Sequence, residues 1–237
     1  MAKIERPKQV IFIRHAESAR NAAKPKNALF FPDEEARRSV EGIPDHKIAI
    51  TPTGIIQAQK TGLYLRERFG RPDYAYHSGY VRTKETLEYI LSAFPKDELS
   101  EIKIRMNQFI RERDPGFTYD MMKDESDEHF PYLQKYWETF GGYFARPPGG
   151  ESLCDVSTRV YEFLGTLFHD RAGQKVWVVI HGGSLRAVRF WLEKWDYQKA
   201  EQWQEGEQPE NCGITVYNYN KRKSRLELQE YNTVAWK

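Results

Sequence analysis

The chain has 237 residues, 40% of them hydrophobic and 14% aromatic, which is enough to bury one substantial core. Thirty-six basic residues face 34 acidic ones, and the net charge of +2 excludes a global field that would attract nucleic acid or an anionic membrane. The N-terminal apolar run is too short for a signal-peptide core or a membrane span, so we expect a cytoplasmic protein. The oligomeric state is left open.

The first predicted strand ends on two polar side chains. In VIFIRH, four apolar residues run directly into Arg14 and His15. A continuous apolar run without alternation is typical of a strand covered on both faces of a sheet. Residues from about 22 to 50 then form a long polar connection, and loops of that length in compact domains are usually functional or disordered.

Strands and helices alternate after this loop. Thr51 caps a predicted helix over 52–69, with proline at its first position and apolar residues on one stripe. DYAYHS is the second predicted strand, a helix follows over about 80–93, and IKIRM is the third strand. The region from about 107 to 150 is less regular and is predicted to hold one helix near 124–140.

The C-terminal part completes an α/β pattern. Ser152 and Asp155 have capping-box spacing at the start of a long amphipathic helix. KVWVVIHGG is a second apolar strand that stops on a histidine, His181, and another helix follows it. ITVYNY and RLELQEY form a predicted hairpin. The pattern predicts one domain over residues 1–237, an α/β three-layer sandwich with a mostly parallel central sheet flanked by helices.

The two strand-terminal histidines predict a ligand site. Ligands of open α/β sheets bind beyond the carboxyl ends of the strands, so His15 and His181 meet there if their strands are neighbours. Arg14 lies beside His15, and Arg82 lies at the start of the helix after the second strand. Arginines near helix N-termini favour an anion, and phosphate fits this combination best.

These segments resemble the histidine phosphatase superfamily, also called the phosphoglycerate-mutase-like fold. The matching motifs, in the family's order, are RHAESARN, TPTGIIQAQ, SGYVRTKET, PPGGESLCDVSTRV and IHGGSLR. RERDPG is similar to the segment that carries the family's acid, which places that role on Glu112. RERDPG, EKWDYQKAEQW and NCGITVY resemble the broad-specificity phosphatase branch more than the glycolytic mutases. Two departures are Ala16, where the family usually has glycine, and the longer 22–50 loop.

The resemblance implies a phosphohistidine mechanism. His15 would attack phosphorus as a neutral nucleophile, and water would hydrolyse the intermediate. Arg14, Arg82, His181 and Asn21 would hold the phosphoryl oxygens, because guanidinium groups bind phosphate bidentately. Glu112 would protonate the leaving oxygen and later accept a proton from water. No metal or other cofactor is expected, since the arginines repel a cation and no metal-ligand spacing is present.

The predicted function is therefore a metal-independent phosphomonoesterase acting on a small phosphorylated metabolite. The closest enzymatic alternative is a cofactor-dependent phosphoglycerate mutase, which returns the phosphoryl group to a second hydroxyl. The alternative outside enzymes is a catalytically silent phosphate-binding or regulatory module. We expect no nucleic-acid or membrane partner.

Overall fold

The computed structural model describes residues 6–24, 28, 30–202 and 207–237. These residues form one six-stranded sheet in the order β3-β2-β4-β1-β5-β6. The first four strands in that order are parallel to one another, whereas β5 is antiparallel to β1 and β6 is antiparallel to β5. The strands are β1 (Gln9–Arg14), β2 (Tyr74–His77), β3 (Lys103–Met106), β4 (Lys175–Ile180), β5 (Ile214–Asn220) and β6 (Arg225–Thr233).

Helices cover both faces of this sheet, and none in the described part of the chain is long and apolar enough to cross a membrane. Short 3₁₀ turns at Asp45–Lys47, Gln108–Ile110 and Gly116–Asp120 lie in the connections. The α-helices are α1 (Ala19–Ala22), α2 (Glu34–Arg38), α3 (Pro52–Phe69), α4 (Val81–Leu91), α5 (Lys96–Ser100), α6 (Lys123–His129), α7 (Leu133–Phe140), α8 (Leu153–Asp170), α9 (Gly182–Leu192) and α10 (Tyr197–Glu201).

Strand β1 shows why its sequence is apolar without alternation. Val10 and Phe12 pack into one core cluster, with residues of α8 and α9. Ile11 and Ile13 pack into the other cluster, with residues of α3 and α4. Successive strand residues point to opposite faces, so burial on both faces requires an apolar residue at every position. The prediction of a mostly parallel sheet between two helical layers is confirmed.

Two irregular regions differ from the sequence-based prediction. The single helix predicted near 124–140 is wrong, because α6 and α7 are separated at Pro131, whose ring cannot continue a helix. The 22–50 loop contains α2 and a small apolar cluster of Phe31, Val40 and Ile48. Residues 25–27 and 29 of this loop lie outside the described residues, as does Trp203 of EKWDYQKAEQW.

The sheet register determines where the site forms. Arg14 of β1 is paired with Ile180 of β4, so the next residue of each strand, His15 and His181, leaves the sheet at the same edge. Strand β2 flanks β4 on the other side, with His77 opposite Val179. Its continuation leads to α4. Three carboxyl ends of parallel strands therefore meet at one edge.

Candidate functional site

His15 and His181 lie side by side in the buried centre of this edge. Their ring centroids are 5.1 Å apart, with the planes at 61°. The exposed fractions are 3% for His15 and zero for His181. The backbone N–H of His15 donates to the carbonyl of Ile180 at 2.9 Å, which fixes the two strand ends together. The structure thus brings together two histidines that lie 166 positions apart in the sequence.

Hydrogen bonding decides which nitrogen of His15 carries the proton. Nδ1 lies 2.7 Å from the carbonyl oxygen of Ala16, and because a carbonyl only accepts, Nδ1 must donate. Nε2 of the neutral ring therefore keeps its lone pair. Burial, followed by the charges of Arg82 and Arg14, holds the pKa of His15 well below its usual value. The ring is neutral at pH 7 and can act as a nucleophile through Nε2.

Hydrogen bonds through two hydroxyl groups show which ring nitrogen of His181 carries the proton. Thr83 Oγ1 donates to the carbonyl of Tyr80 at 2.8 Å, so Ser78 must donate in its 2.9 Å contact with Thr83. Ser78 Oγ then accepts from Nε2 of His181 at 2.8 Å. Nδ1 of neutral His181 therefore carries a lone pair. This buried atom has no hydrogen-bond partner among the described residues and lies 4.0 Å from Oε2 of Glu112.

Arg14 brings a buried guanidinium to the same place. Its Nη1 donates to the carbonyl of Pro209 at 2.5 Å, while its buried Nε has no hydrogen-bond partner among the described residues. Burial lowers the pKa of Arg14, and the carboxylate of Glu112 opposes this shift. Burial, followed by the charge of Arg82, also holds the pKa of His181 well below its usual value. The site is rich in positive charge and in unsatisfied polar atoms, as expected for an anion-binding pocket.

Arg82 is held by a carboxylate that the sequence analysis did not single out. Only 4% of Arg82 is exposed. Its Nη1 donates to the backbone carbonyl and Oδ1 of Asp45 at 2.7 and 3.0 Å, and its Nη2 donates to Oδ2 at 3.2 Å. The hydroxyl of Tyr119 donates to Oδ1 of Asp45 at 3.1 Å. Both residues lie in 3₁₀ turns without periodicity, so no sequence signal indicated their roles.

Glu112 approaches the histidines from the RERDPG segment. Its Oε1 accepts from the backbone N–H groups of Arg113 at 2.8 Å and Gly183 at 3.1 Å. A Cβ atom on Gly183 would lie 2.6 Å from this oxygen, so only glycine permits the contact. Arg159 donates to the backbone carbonyl of Glu112 at 3.0 Å and is itself paired with Glu151 at 2.8 Å. A buried ion pair thus fixes the backbone that carries the carboxyl group.

Asn21, in α1, is linked to His15 through Asn211. Its Oδ1 accepts from the backbone N–H of Ser18 at 3.2 Å and from Nδ2 of Asn211 at 3.3 Å. Nδ2 of Asn211 also lies 3.0 Å from the carbonyl of His15. Asn211 lies in NCGITVY, and an asparagine in a motif that resembles the family was the available sequence signal for its role.

Ala16 fits its position without a left-handed backbone. Its φ is not positive, and its side chain packs in the core cluster that contains Ile13. Its N–H donates to Oγ1 of Thr86 at 2.9 Å, and its carbonyl receives the bond from His15. Alanine in place of the family's usual glycine therefore keeps the hydrogen bond that orients His15.

Comparison with known families matches residues 10–232 to the histidine phosphatase superfamily, branch 1. The chain belongs to this superfamily. The match covers more than nine-tenths of the sequence, including every site residue described above, and it confirms the family predicted from the motifs.

Curated relatives are phosphoglycerate mutases and mutase-like proteins. Phosphoglycerate mutase-like protein AT74 of Arabidopsis thaliana is 32% identical over 227 residues, which cover 89% of this chain but only 64% of the relative. A 2,3-bisphosphoglycerate-dependent phosphoglycerate mutase of Rhizobium etli is 35% identical over 148 residues, which cover 61% of this chain and 68% of the relative. The chain thus spans about two thirds of their length or less.

Several solved structures with the same fold are named as phosphatases. The alpha-ribazole phosphatase of Shigella flexneri superposes with a TM-score of 0.72 at 19% identity, covering 96% of this chain and 97% of that one. Phosphoserine phosphatase of Entamoeba histolytica, solved with 3-phosphoglyceric acid, gives 0.70 at 19% identity, with 96% and 98% covered. At this identity the similarity establishes the fold.

Proposed function

We propose that the protein is a metal-independent phosphomonoesterase that acts through a phosphohistidine on a small phosphorylated metabolite. The observation that carries the proposal is the state of His15: a buried neutral ring whose Nδ1–H is fixed and whose Nε2 lone pair lies among cationic groups. Membership of the superfamily and the arrangement of Glu112 beside His181 support it.

The phosphoryl group would bind where the site has unsatisfied polar atoms. Nε of Arg14 is a buried donor without a partner among the described residues, and a phosphoryl oxygen would accept its hydrogen bond. A nearby dianion favours the protonated form of His181, so its pKa rises and Nδ1 gains a proton to donate. Arg82 and Asn21 complete the predicted set of contacts.

The reaction follows in two balanced steps. Nε2 of His15 forms a bond to phosphorus while the bond to the leaving oxygen breaks, and Glu112 gives its proton to that oxygen. Positive charge that develops on the ring is stabilised by the Nδ1–H bond to the carbonyl of Ala16. Water then attacks phosphorus, passes its proton to Glu112, and releases phosphate and free His15.

A phosphoglycerate mutase is the second candidate, since curated relatives carry that name. It would share the His15 intermediate and differ only in the acceptor, a hydroxyl of the bound product in place of water. A silent binding module is the third candidate. It has no need for a neutral nucleophile beside a carboxyl group, which argues against it.

Turnover and trapping test the proposal. The wild-type protein should hydrolyse p-nitrophenyl phosphate, and brief incubation with radiolabelled substrate should leave an acid-labile, base-stable phosphate on the chain. His15→Ala should lose both signals while keeping its thermal unfolding transition, whereas His169→Ala, at an exposed histidine, should keep them. An acid-stable label, or an active His15→Ala variant, contradicts the mechanism.

Parallel assays separate the candidates. Interconversion of 2- and 3-phosphoglycerate, with and without 2,3-bisphosphoglycerate, measures mutase activity against phosphate release. Dominant interconversion favours the mutase, and neither activity favours the binding module. The cytoplasmic location stays a prediction, which cell fractionation tests.

A further inference from the structure

A second group of cations lies beyond Arg82, on the turn that carries Asn21. The guanidinium carbon of Arg20 lies 3.6 Å from the ring centroid of Tyr119 and 4.9 Å from that of Phe31. Nζ of Lys24 lies 4.3 Å from the same Phe31 ring. Arg20 and Lys24 therefore share one aromatic ring, although like charges repel.

Part of the Arg20 guanidinium is not satisfied by the protein. Nη2 donates to the carbonyl of Tyr119, whereas Nη1 is buried and has no hydrogen-bond partner among the described residues. Leaving a buried donor without a partner carries a free-energy cost. Arg20 also has no carboxylate in ion-pair contact within the described chain. An anion placed against Arg20 would remove this cost.

This pair of cations is linked to the predicted phosphate site. The Tyr119 ring that stacks on Arg20 carries the hydroxyl that donates to Oδ1 of Asp45 at 3.1 Å. Asp45 in turn holds both terminal nitrogens of Arg82. Asp45 is therefore engaged by Arg82 and Tyr119. One aromatic ring and one carboxylate separate Arg20 from the predicted phosphate clamp.

The charges in this cluster are close enough to affect one another. Burial, followed by the charge of Arg20, lowers the pKa of Lys24 to about 7, and the carboxylates of Asp120 and Asp45 oppose this shift. Burial also lowers the pKa of Arg20, and the charge of Arg82 contributes in the same direction. The charge of Arg20 thus weakens the charged form of Lys24, the charge of Arg82 weakens that of Arg20, and a bound anion would oppose both effects.

We propose that Arg20 and Lys24 form a subsite for a second anionic group, a carboxylate or a phosphate, on the leaving group of the substrate. The inference rests on the proposed phosphatase function and narrows its substrate class to phosphate monoesters with a second negative charge. Arginine suits the role because its planar fork binds either anion. The simpler interpretation is that Arg20 only holds α1 against the Gly116–Asp120 turn. Loss of that structural role would change kcat/KM equally for substrates of any charge.

Matched substrates test the proposal. 3-Phosphoglycerate and glycerol 3-phosphate differ only in a carboxylate that replaces a hydroxymethyl group, and propane-1,3-diol bisphosphate and monophosphate form the corresponding phosphate pair. The wild-type kcat/KM should favour the doubly anionic member of at least one pair. Arg20→Met should reduce that preference by at least about tenfold, as loss of a charge-assisted hydrogen bond predicts. Lys24→Met should reduce it in the same direction, whereas Lys47→Met, at an exposed lysine of the same loop, should not.

The pH dependence supplies a second readout. Lys24 is charged below pH about 7 and neutral above it, so the wild-type preference should fall as pH rises through about 7. The ratio is taken for 3-phosphoglycerate against glycerol 3-phosphate, where the titration of the shared phosphate ester cancels; the bisphosphate pair is unsuitable here, because its second phosphate titrates in the same pH range. The ratio for Lys24→Met should not change over this range. A wild-type ratio that stays constant contradicts the contribution of Lys24.

Two results overturn the subsite: equal kcat/KM for both members of each pair in the wild type, or an equal loss on both members in Arg20→Met. If Arg20→Met does not fold, the same kcat/KM ratios are measured for Arg20→Lys and Lys24→Met, and these test the subsite instead. Failure of the phosphatase proposal can be distinguished from failure of the subsite proposal, since the wild type would then not hydrolyse p-nitrophenyl phosphate. Which pair responds shows whether the second group is a carboxylate or a phosphate.

Discussion

Replacing Arg82 by lysine keeps one positive charge and removes the planar fork of donors. In the structure this fork makes three hydrogen bonds to Asp45, at 2.7, 3.0 and 3.2 Å, from a side chain that is almost fully buried. Lysine has a single nitrogen on a flexible stem. The ammonium group can donate either to Asp45 or to a phosphoryl oxygen. It cannot donate to both in the fixed geometry that a guanidinium provides.

The expected loss follows from the number of contacts. A hydrogen bond to a charged group contributes about 1.5–3 kcal/mol. If Arg82→Lys loses one such bond to the transition state, kcat/KM falls by about 10- to 10²-fold. Since Arg82 is buried, water cannot easily replace the missing donor, so the loss should lie within this range or above it.

Steady-state kinetics with p-nitrophenyl phosphate measure this loss. Arg146→Lys is the matched control, because Arg146 binds Asp155 through two bonds of 2.6 Å and is exposed, whereas Arg82 is buried. Thermal unfolding of both variants shows whether the loop that carries Asp45 stays folded. Wild-type kinetics in Arg82→Lys would refute the reasoning and exclude Arg82 from the phosphate clamp.

Three further predictions concern the acid, metal dependence and pH. Glu112→Gln should lose about 10²–10⁴ in rate on alkyl phosphates and much less on p-nitrophenyl phosphate, whose leaving group departs without a proton; equal losses in single-turnover phosphorylation would move the acid elsewhere. Activity should survive EDTA and be inhibited by vanadate, since the predicted clamp is cationic; rescue by one divalent ion would contradict this. Buried His15 and His181 stay neutral when folded but take up protons when unfolded, so the free energy of unfolding should fall below pH about 6.5, by up to about 1.4 kcal/mol per pH unit each. Chemical denaturation of His15→Ala should show a shallower slope and that of exposed His169→Ala an unchanged one.

The local elements that carry the chemistry could be predicted from the sequence alone. Apolar runs without alternation indicated buried strands, and the polar residue after each run had to lie at a strand end. Thr51 and Ser152 marked helix starts because their side chains cap the first turn, and both caps are present. Pro131 is also a signal that the sequence contains. The prediction of one helix there was wrong because proline lacks a backbone N–H and interrupts a helix.

Which of these elements lie together depends on the packing of the complete fold. The sequence left open whether the strands of His15 and His181 are neighbours, and the pairing of β1 with β4 settles it. Asp45 contacts Arg82 across 37 positions, and Asn211 contacts His15 across 196. Asp45 and Asn211 lie in turns, where no strand or helix periodicity in the sequence indicates which way a side chain points. Caps and periodicity depend on residues a few positions apart, so the sequence shows them directly, whereas these contacts depend on the packing of the whole sheet and its helices.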